Sequence, residues 1–163
     1  MQFSAFLSPA KADGIIWGVG MIGQLPTHTD EVLGNDRWGI GPTAVALRLK
    51  KGDPWVYGAL VNNVWSVSHS DNDPEYNNFL LQPFLNYNFS GGLYLTSSPD
   101  VTADWKADSS QQWTVPLGGG VGKIFHFGRL PVNAQLSAYG NVVHPDNGPD
   151  WQMRFQVQFM FPK

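Results

Sequence analysis

The chain has 163 residues, enough for one domain, and only 14% of them are charged, against roughly 25% in soluble domains. Its formal net charge of -3 comes without a cluster of lysine and arginine, which excludes nucleic acid as a partner. Because the chain contains no cysteine, a disulfide framework and a thiolate metal site are excluded as well.

In chain order, the sequence predicts about nine strands, because apolar residues recur at every second position and glycine or proline interrupts every candidate helix. The predicted strands cover residues 2–8, 14–25, 38–50, 54–68, 76–89, 92–105, 112–124, 131–143 and 151–161. The last is the clearest, since Trp151, Met153 and Phe155 alternate with Gln152 and Arg154. The chain lacks the run of about 18 apolar residues that a membrane-spanning helix needs, whereas tilted strands near these lengths can span a bilayer.

The connections between these strands alternate in length. Compact turns are predicted at 51–53, 90–92 and 127–129. Longer polar loops are predicted at 26–37, 69–75, 106–111 and 144–150. Short turns on one side and long loops on the other are typical of outer-membrane barrels. The fold class predicted is therefore all-β, an antiparallel up-and-down transmembrane β-barrel occupying residues 1–163 as a single domain.

Aromatic residues collect near the predicted strand ends, where amphipathic rings favour the membrane interfaces. Those beside the long loops are Trp38, Trp65, Tyr76, Trp105, Trp113 and Trp151. Those near the short connections are Trp17, Trp55, Tyr57, Tyr87, Phe89, Tyr94 and Phe159. The pattern predicts two girdles on a barrel in the lipid bilayer, and the alternative is that the rings fill the core of a β-sandwich.

An odd number of strands does not close a single-chain bacterial barrel, which uses an even number. The first residues also lack the basic, apolar and small-residue regions of an export signal. We therefore expect the chain to be the C-terminal portion of a larger barrel, with at least one strand preceding Met1.

Two glycine-rich segments resemble nucleotide-binding motifs in their letters only. Gly18, Gly20 and Gly23 match the dinucleotide fingerprint, but Pro26 and a polar loop follow where that motif needs a helix. The run GGGVGK ending at Lys123 lacks the first glycine and the final serine or threonine of a phosphate loop. We expect these glycines to ease strand curvature or close packing.

The remaining candidate motifs point to no catalytic or metal site. The histidines are placed in four separate connections, at His28, His69, His126 and His144. The acidic runs that could hold calcium, Asp71–Asp73–Glu75 and Asp146–Asp150, lack the turn glycine and distal glutamate of the known loop. No nucleophile elbow marks a serine, although an assembled triad stays open. The sequence predicts no enzyme, no cofactor and no metal.

The polar side of the alternating strands supplies the candidate lumen residues, which would line a path for solute. They are Asn86, Asn133, Gln135, Gln152, Arg154, Gln156 and Gln158. Uncharged amides dominate this set, whereas ion-selective pores use rings of charge. A narrow path lined by amides favours small, weakly polar molecules, and the alternative is that these side chains only hydrogen-bond to one another.

Several segments carry a family resemblance that extends over nearly the whole chain. They are WGVGMIGQLPT, WGIGPTAVAL, PWVYGALVNNVWS, LLQPFLNYNF with GGLYLTSSP, WTVPLGGGVGKIFHFGRLPVN and PDWQMRFQVQFMFPK. The chain resembles the outer-membrane proteins described as belonging to the meta-pathway of phenol degradation, or simply as transporters. The resemblance implies a barrel in the bacterial outer membrane and uptake of small hydrophobic compounds, with no catalytic residues.

Two departures from that family concern the ends of the chain. Family members have a longer N-terminal portion with an export signal. Barrels often end on an aromatic residue that the barrel-assembly machinery recognises through the C-terminal strand, whereas Pro162 and Lys163 follow Phe161 here.

Three functional hypotheses follow from the sequence. The first is an outer-membrane channel or transporter for small hydrophobic or aromatic compounds. The second is a structural or adhesion barrel that transports nothing and binds a partner through its loops. The third is a soluble β-sandwich that serves as a binding module.

Overall fold

A computed structural model describes residues 2–9, 14–25, 38–67, 75–128, 130–146 and 148–159. These residues form ten β-strands. The strands are β1 (Gln2–Leu7), β2 (Ile15–Gln24), β3 (Gly39–Leu49), β4 (Trp55–Ser66), β5 (Asn77–Asn88), β6 (Leu93–Ser97), β7 (Val101–Asp104), β8 (Trp113–Phe127), β9 (Leu130–Val143) and β10 (Trp151–Phe159). A short 3₁₀ turn at Ser90–Gly92 joins β5 to β6. Within the described ranges no helix is long and apolar enough to cross a membrane.

All ten strands belong to one antiparallel sheet. Its order follows the chain from β1 to β6 and then β8, β9 and β10, with β7 pairing β5 and β8. The all-β, antiparallel up-and-down arrangement predicted from the sequence is therefore confirmed. In the described part of the chain no second sheet packs face to face with the first, as a β-sandwich would require. Among the pairings described, β1 has only β2 as neighbour and β10 has only β9, so each presents one free edge.

Strands β6 and β7 are two parts of the one strand predicted over residues 92–105. Against β5, Ser97 pairs with Leu85 and Val101 pairs with Leu81, so the register is unchanged across the gap. The same constancy holds against β8. The predicted strands thus lie where the structure has them. The one strand prediction that was wrong is that the strand over 92–105 is continuous, because residues 98–100 interrupt it.

Proline explains the gap. The constant register places Pro99 opposite Pro83 of β5, and neither residue has an N–H to donate to the ladder. β8, the other neighbour of the broken strand, changes register against β9 between Val115 and Pro116. Side chains replace the missing ladder bonds, since the Ser97 hydroxyl donates to the Gly118 carbonyl at 2.6 Å and the Ser98 amide donates to the Tyr139 hydroxyl at 3.1 Å.

The predicted compact turns form at one end of the sheet. Gly52, Gly91, Gly92 and Gly128 all have positive φ, which residues with a Cβ rarely adopt. The longer connections that the structure describes lie at the opposite end. Loops 106–111 and 144–150 are described there except for residue 147, whereas loop 26–37 and residues 69–74 fall outside the described ranges.

The sheet has two faces of different chemistry. We call the inner face the one that carries Asn133, Gln135, Ser137 and Tyr139 of β9, and the outer face the one that carries Val132, Ala134, Leu136 and Ala138. Strand pairing extends this assignment to the other strands, because residues directly opposite each other share a face. The outer face holds most of the large exposed apolar side chains, among them Phe155 (71% exposed) and Leu117 (59%).

Candidate functional site

A cavity of about 460 Å³ opens on the inner face near the end with the compact turns. Its walls come from strands that are far apart in the sheet, from Val56 on β4 to Gln156 on β10. The sheet is therefore strongly curved, with its inner face concave. Phe84 and Ile124 contribute apolar surface, and the remainder is mostly amide and hydroxyl groups.

The cavity brings together most of the side chains that the sequence predicts to line a lumen. Asn86, Asn133, Gln135, Arg154 and Gln156 all contribute to its wall. The other two lie on the same face. Gln152 donates to the Asn141 side-chain oxygen at 3.1 Å, and Gln158 is exposed beside Asn133. The role of all seven in solute passage stays a prediction.

Tyr94 corrects one sequence-based expectation. It was predicted to sit in an aromatic girdle, but it points into the cavity, where its hydroxyl lies 2.9 Å from Asn133 Oδ1 and 3.1 Å from Gln135 Oε1. A hydroxyl has one hydrogen, so it donates to one of these oxygens at a time. The ring occupies the space beside Gly122, where a Cβ would overlap it. The alternation of Tyr94 and Thr96 with Leu93 and Leu95 is the sequence signal that places this ring on the polar face.

An ion pair crosses the inner face at the end of this cavity. The Arg154 guanidinium on β10 donates to one carboxylate oxygen of Asp100, and the Gln82 amide on β5 donates to the other. Arg154 and Asp100 are about one-third exposed. The Arg154 guanidinium also lies 5.9 Å from the centre of the Tyr139 ring. We call Gln82, Asp100 and Arg154 the brace.

The gap between β6 and β7 explains how Asp100 reaches this position. Asp100 is the last residue before β7, directly opposite Gln82, and shares the inner face with Thr96 and Thr102. The constant register places Pro116 of β8 opposite Asp100, and the next two inner positions of β8 toward Arg154, 118 and 120, are glycine. Sequence reasoning missed Asp100 and Gln82. The available signal was Ser98-Pro99-Asp100 inside a predicted strand, where a proline limits pairing.

A second cavity, also of about 460 Å³, lies on the long-loop side of the brace. Asn78, Leu80, Thr102 and Thr114 line it. Gln2 and Gln24, from the first hairpin, also contribute, and their side chains are joined by a 3.0 Å hydrogen bond. The two cavities thus occupy successive levels of one concave face, with the brace between them.

The tryptophans predicted as interface aromatics lie on the outer face, and all of them are exposed. They are Trp17, Trp38, Trp55, Trp65, Trp105, Trp113 and Trp151, with exposed fractions from 36% to 64%. At the long-loop end, Trp105 contacts Trp113 edge-on with ring centres 5.5 Å apart, and its indole N–H donates to Asn63 at 2.9 Å. At the turn end, the ring centres of Trp55 and Tyr87 lie 4.7 Å apart. Aromatic rings and polar partners therefore mark both ends of the outer face.

Cations on the outer face lie at the turn end. Arg48 donates to the Tyr57 hydroxyl at 3.0 Å, and its guanidinium lies 3.9 Å from the Asp53 carboxylate. The Lys123 ammonium lies 5.3 Å from the centre of the Phe125 ring. On the neighbouring strand β9, the residues on the outer face from Val132 to Ala138 are all apolar.

The nucleotide and metal motifs find no supporting geometry in the described ranges. Gly18, Gly20 and Gly23 lie within β2, and a Cβ at Gly20 would overlap the carbonyl of Ala5, as close packing predicts. His126 lies in β8, so its expected placement in a connection was wrong, while His28 and His69 fall outside the described residues. His144 contacts Asp150 at 3.3 Å. Among the described residues, no three histidine, aspartate or glutamate side chains come together as ligands for a metal ion.

No family model, curated protein or solved structure matches the chain. The resemblance to phenol-degradation and transporter barrels therefore stays a prediction that rests on the quoted segments.

Proposed function

We propose that the protein is a bacterial outer-membrane barrel that passes small, weakly polar or aromatic solutes along its inner face. The observation that carries the proposal is the contrast between the two faces. Large apolar side chains such as Phe155, Leu136 and Val121 are between 44% and 71% exposed on the outer face. Monomeric proteins in water rarely expose so continuous an apolar surface, so a lipid environment is the natural complement.

Bands of amphipathic residues at the two ends of the outer face support a membrane orientation. Arg48 and Tyr57 at the turn end can hold their polar atoms at the interface while their apolar parts face lipid. Trp105, Asn63 and Asn77 form the equivalent band at the long-loop end, where Asn63 donates to Asn77 at 2.7 Å. The apolar surface between these bands fits the outward-facing belt of a membrane barrel.

The inner face supports the solute class. Aliphatic residues of the first strands, including Val45 and Leu47 of β3, form an aliphatic wall of the inner face, and the amide-bearing strands form a hydrogen-bonding wall of the same face. A neutral ring with one or two hydroxyl groups could place its apolar face on the first wall and hydrogen-bond to the second. Charged solutes gain less, because Arg154, which lines the turn-side cavity, is already paired with Asp100.

In a bilayer, backbone groups at an open sheet edge would lie in hydrocarbon at a cost of several kcal/mol for each unsatisfied group. The proposal therefore requires the free edges of β1 and β10 to pair, either with each other or with further strands.

The test is reconstitution into liposomes, followed by swelling measurements with a neutral dihydroxybenzene as permeant. We expect faster entry than into protein-free liposomes and slower entry of the carboxylated analogue. The Tyr94→Trp variant, inserted in the same amount as the wild type, provides the comparison. It has a larger ring inside the turn-side cavity, so we expect slower entry of the solute. If the wild-type protein adds nothing to the protein-free rate, the conduit is wrong and a structural or adhesion barrel takes its place. If the protein stays monodisperse without detergent, both membrane functions are wrong.

A further inference from the structure

The brace lies at the boundary between the two inner cavities. Along β5, Leu80 lines the loop-side cavity and Phe84 lines the turn-side cavity, and Gln82, between these two residues, lies at the edge of the turn-side cavity. Along the broken strand, Thr102 lines the loop-side cavity, Ser98 lines the turn-side cavity, and Asp100 lies between them. A path through the concave interior must therefore pass the level of Asp100.

The brace also joins distant parts of the sheet. Arg154 is on β10, Gln82 is on β5, and Asp100 lies in the gap that the opposed prolines leave open. The guanidinium must extend over β9 and the glycines of β8 to reach the carboxylate. Both charged groups are about one-third exposed, so water reaches them from the adjoining space.

We propose that the Arg154–Asp100–Gln82 brace is the selectivity barrier of the interior, a charge-neutral partition that admits uncharged solutes and limits the passage of ions. This inference rests on the proposed function and adds the residues that determine its specificity. Two opposite charges that neutralise each other present no net attraction to a passing ion, whereas an unpaired charge in a narrow pore attracts ions of opposite sign. Each partner therefore cancels the selectivity that the other would impose.

The test uses single-channel recording of the protein in planar lipid bilayers separated by a potassium chloride gradient. Asp100→Asn, which keeps the shape of the side chain, leaves Arg154 unpaired and should shift the reversal potential toward chloride selectivity. Arg154→Gln leaves Asp100 unpaired and should shift it toward potassium selectivity. Both should raise the unit conductance, because the link across the interior is broken. Exchange of the two charges, Asp100→Arg with Arg154→Asp, should return the reversal potential close to the wild-type value.

Lys123→Gln is the matched control, because it removes one positive charge from the outer face, beside Phe125. It should leave the reversal potential unchanged, which separates an effect of the brace from an effect of net charge. Far-UV circular dichroism should show an unchanged β-sheet signal in every variant, and Asp100→Asn alone decides the matter if Arg154→Gln does not fold.

The outcomes separate this inference from the proposed function. If the wild type conducts and the folded variants have the same reversal potential, the brace is not the selectivity barrier. The proposed conduit is unaffected by that result. Absence of conductance from the wild type and all variants overturns the brace as the ion barrier, whereas absence of dihydroxybenzene entry in the liposome test overturns the conduit. A wild type that is silent beside conducting variants supports the brace as the barrier.

Discussion

Strands β1–β4 and strands β5–β10 present similar outer faces but different inner faces. Both regions are apolar outside. Inside, β2–β4 carry mainly glycine and aliphatic residues such as Ile22, Val45 and Val64, whereas β5–β10 carry amides, hydroxyls and the brace. The first region is thus largely apolar on both faces. Only in the second region do polar inward residues alternate with apolar outward residues.

The difference shows how the interior is divided. The curved sheet places both regions along one concave face. Val56 lines the turn-side cavity beside amides of the second region, and Gln2, Gln24, Asn62 and Val64 contribute to the loop-side cavity. A solute on this face can be apolar on one side and polar on the other. Substitutions on each face, and in each region, should therefore differ in their cost to stability.

The largest effect is expected from a charge on the outer face of the second region. Leu136 lies near the middle of β9, paired with Val121 and Phe155. Leu136→Arg should lower the free energy of unfolding from lipid vesicles by about 2 to 4 kcal/mol, because the guanidinium meets hydrocarbon. The neighbouring Gln135→Arg points inward and should cost less than about 1 kcal/mol. Urea titration of both variants in the same vesicles gives the comparison, and equal costs would contradict a lipid-facing outer surface.

The inner face of the first region should not share this tolerance. Val45, on β3, lies between Gly18 of β2 and Leu60 of β4. Val45→Arg should cost about 1 to 3 kcal/mol, because a long charged side chain must displace apolar neighbours. The same titration measures it beside Gln135→Arg. If both inner substitutions are equally mild, the aliphatic wall is not packed and the division between the two regions is wrong.

The same division explains what could be predicted from the sequence. β9 was predicted at 131–143 and is found at Leu130–Val143, because its polar and apolar residues alternate cleanly. The turns are also predictable from local sequence, because each contains a glycine that adopts a positive φ: Gly52, Gly91 and Gly128. Strands of the first region lack this clean alternation, because glycine and aliphatic residues occupy much of their inner face as well.

The brace could not be predicted, because it depends on contacts that are remote in the sequence. Asp100 and Arg154 are 54 positions apart. Their contact requires that the broken strand (β6 and β7), β8, β9 and β10 lie side by side in this order, and that the sheet is curved. The gap beside Asp100 requires in addition that Pro83 and Pro99 fall opposite each other, which only the register reveals.

A smaller effect is expected at the glycine beneath Tyr94. A Cβ at Gly122 would overlap the Tyr94 ring, so Gly122→Ala should shift the ring and weaken its hydrogen bond to Asn133 or Gln135. We expect a loss of about 1 to 2 kcal/mol in the free energy of unfolding. Gly140→Ala is the matched control, because a Cβ there meets nothing within 4 Å. Similar stability of the two variants would contradict the position of the ring.

The smallest effect is expected at the long-loop end of the outer face. Trp105→Phe keeps a ring beside Phe79 and Trp113 but removes the N–H that donates to Asn63 at 2.9 Å. Loss of one hydrogen bond should cost about 0.5 to 1.5 kcal/mol, measured by the same unfolding titration. Trp105→Ala should cost more, because it also removes the ring contacts with Phe79 and Trp113.

Trp151→Phe provides the control for that last measurement. Trp151 is 64% exposed on the free-edged strand β10, against 42% for Trp105. If its indole is held by the lipid interface alone, Trp151→Phe should change stability less than Trp105→Phe. Equal losses would mean that interfacial placement, and not the bond to Asn63, stabilises Trp105. The outer face would then depend on lipid even at its polar end, whereas the inner face depends on bonds between its own side chains.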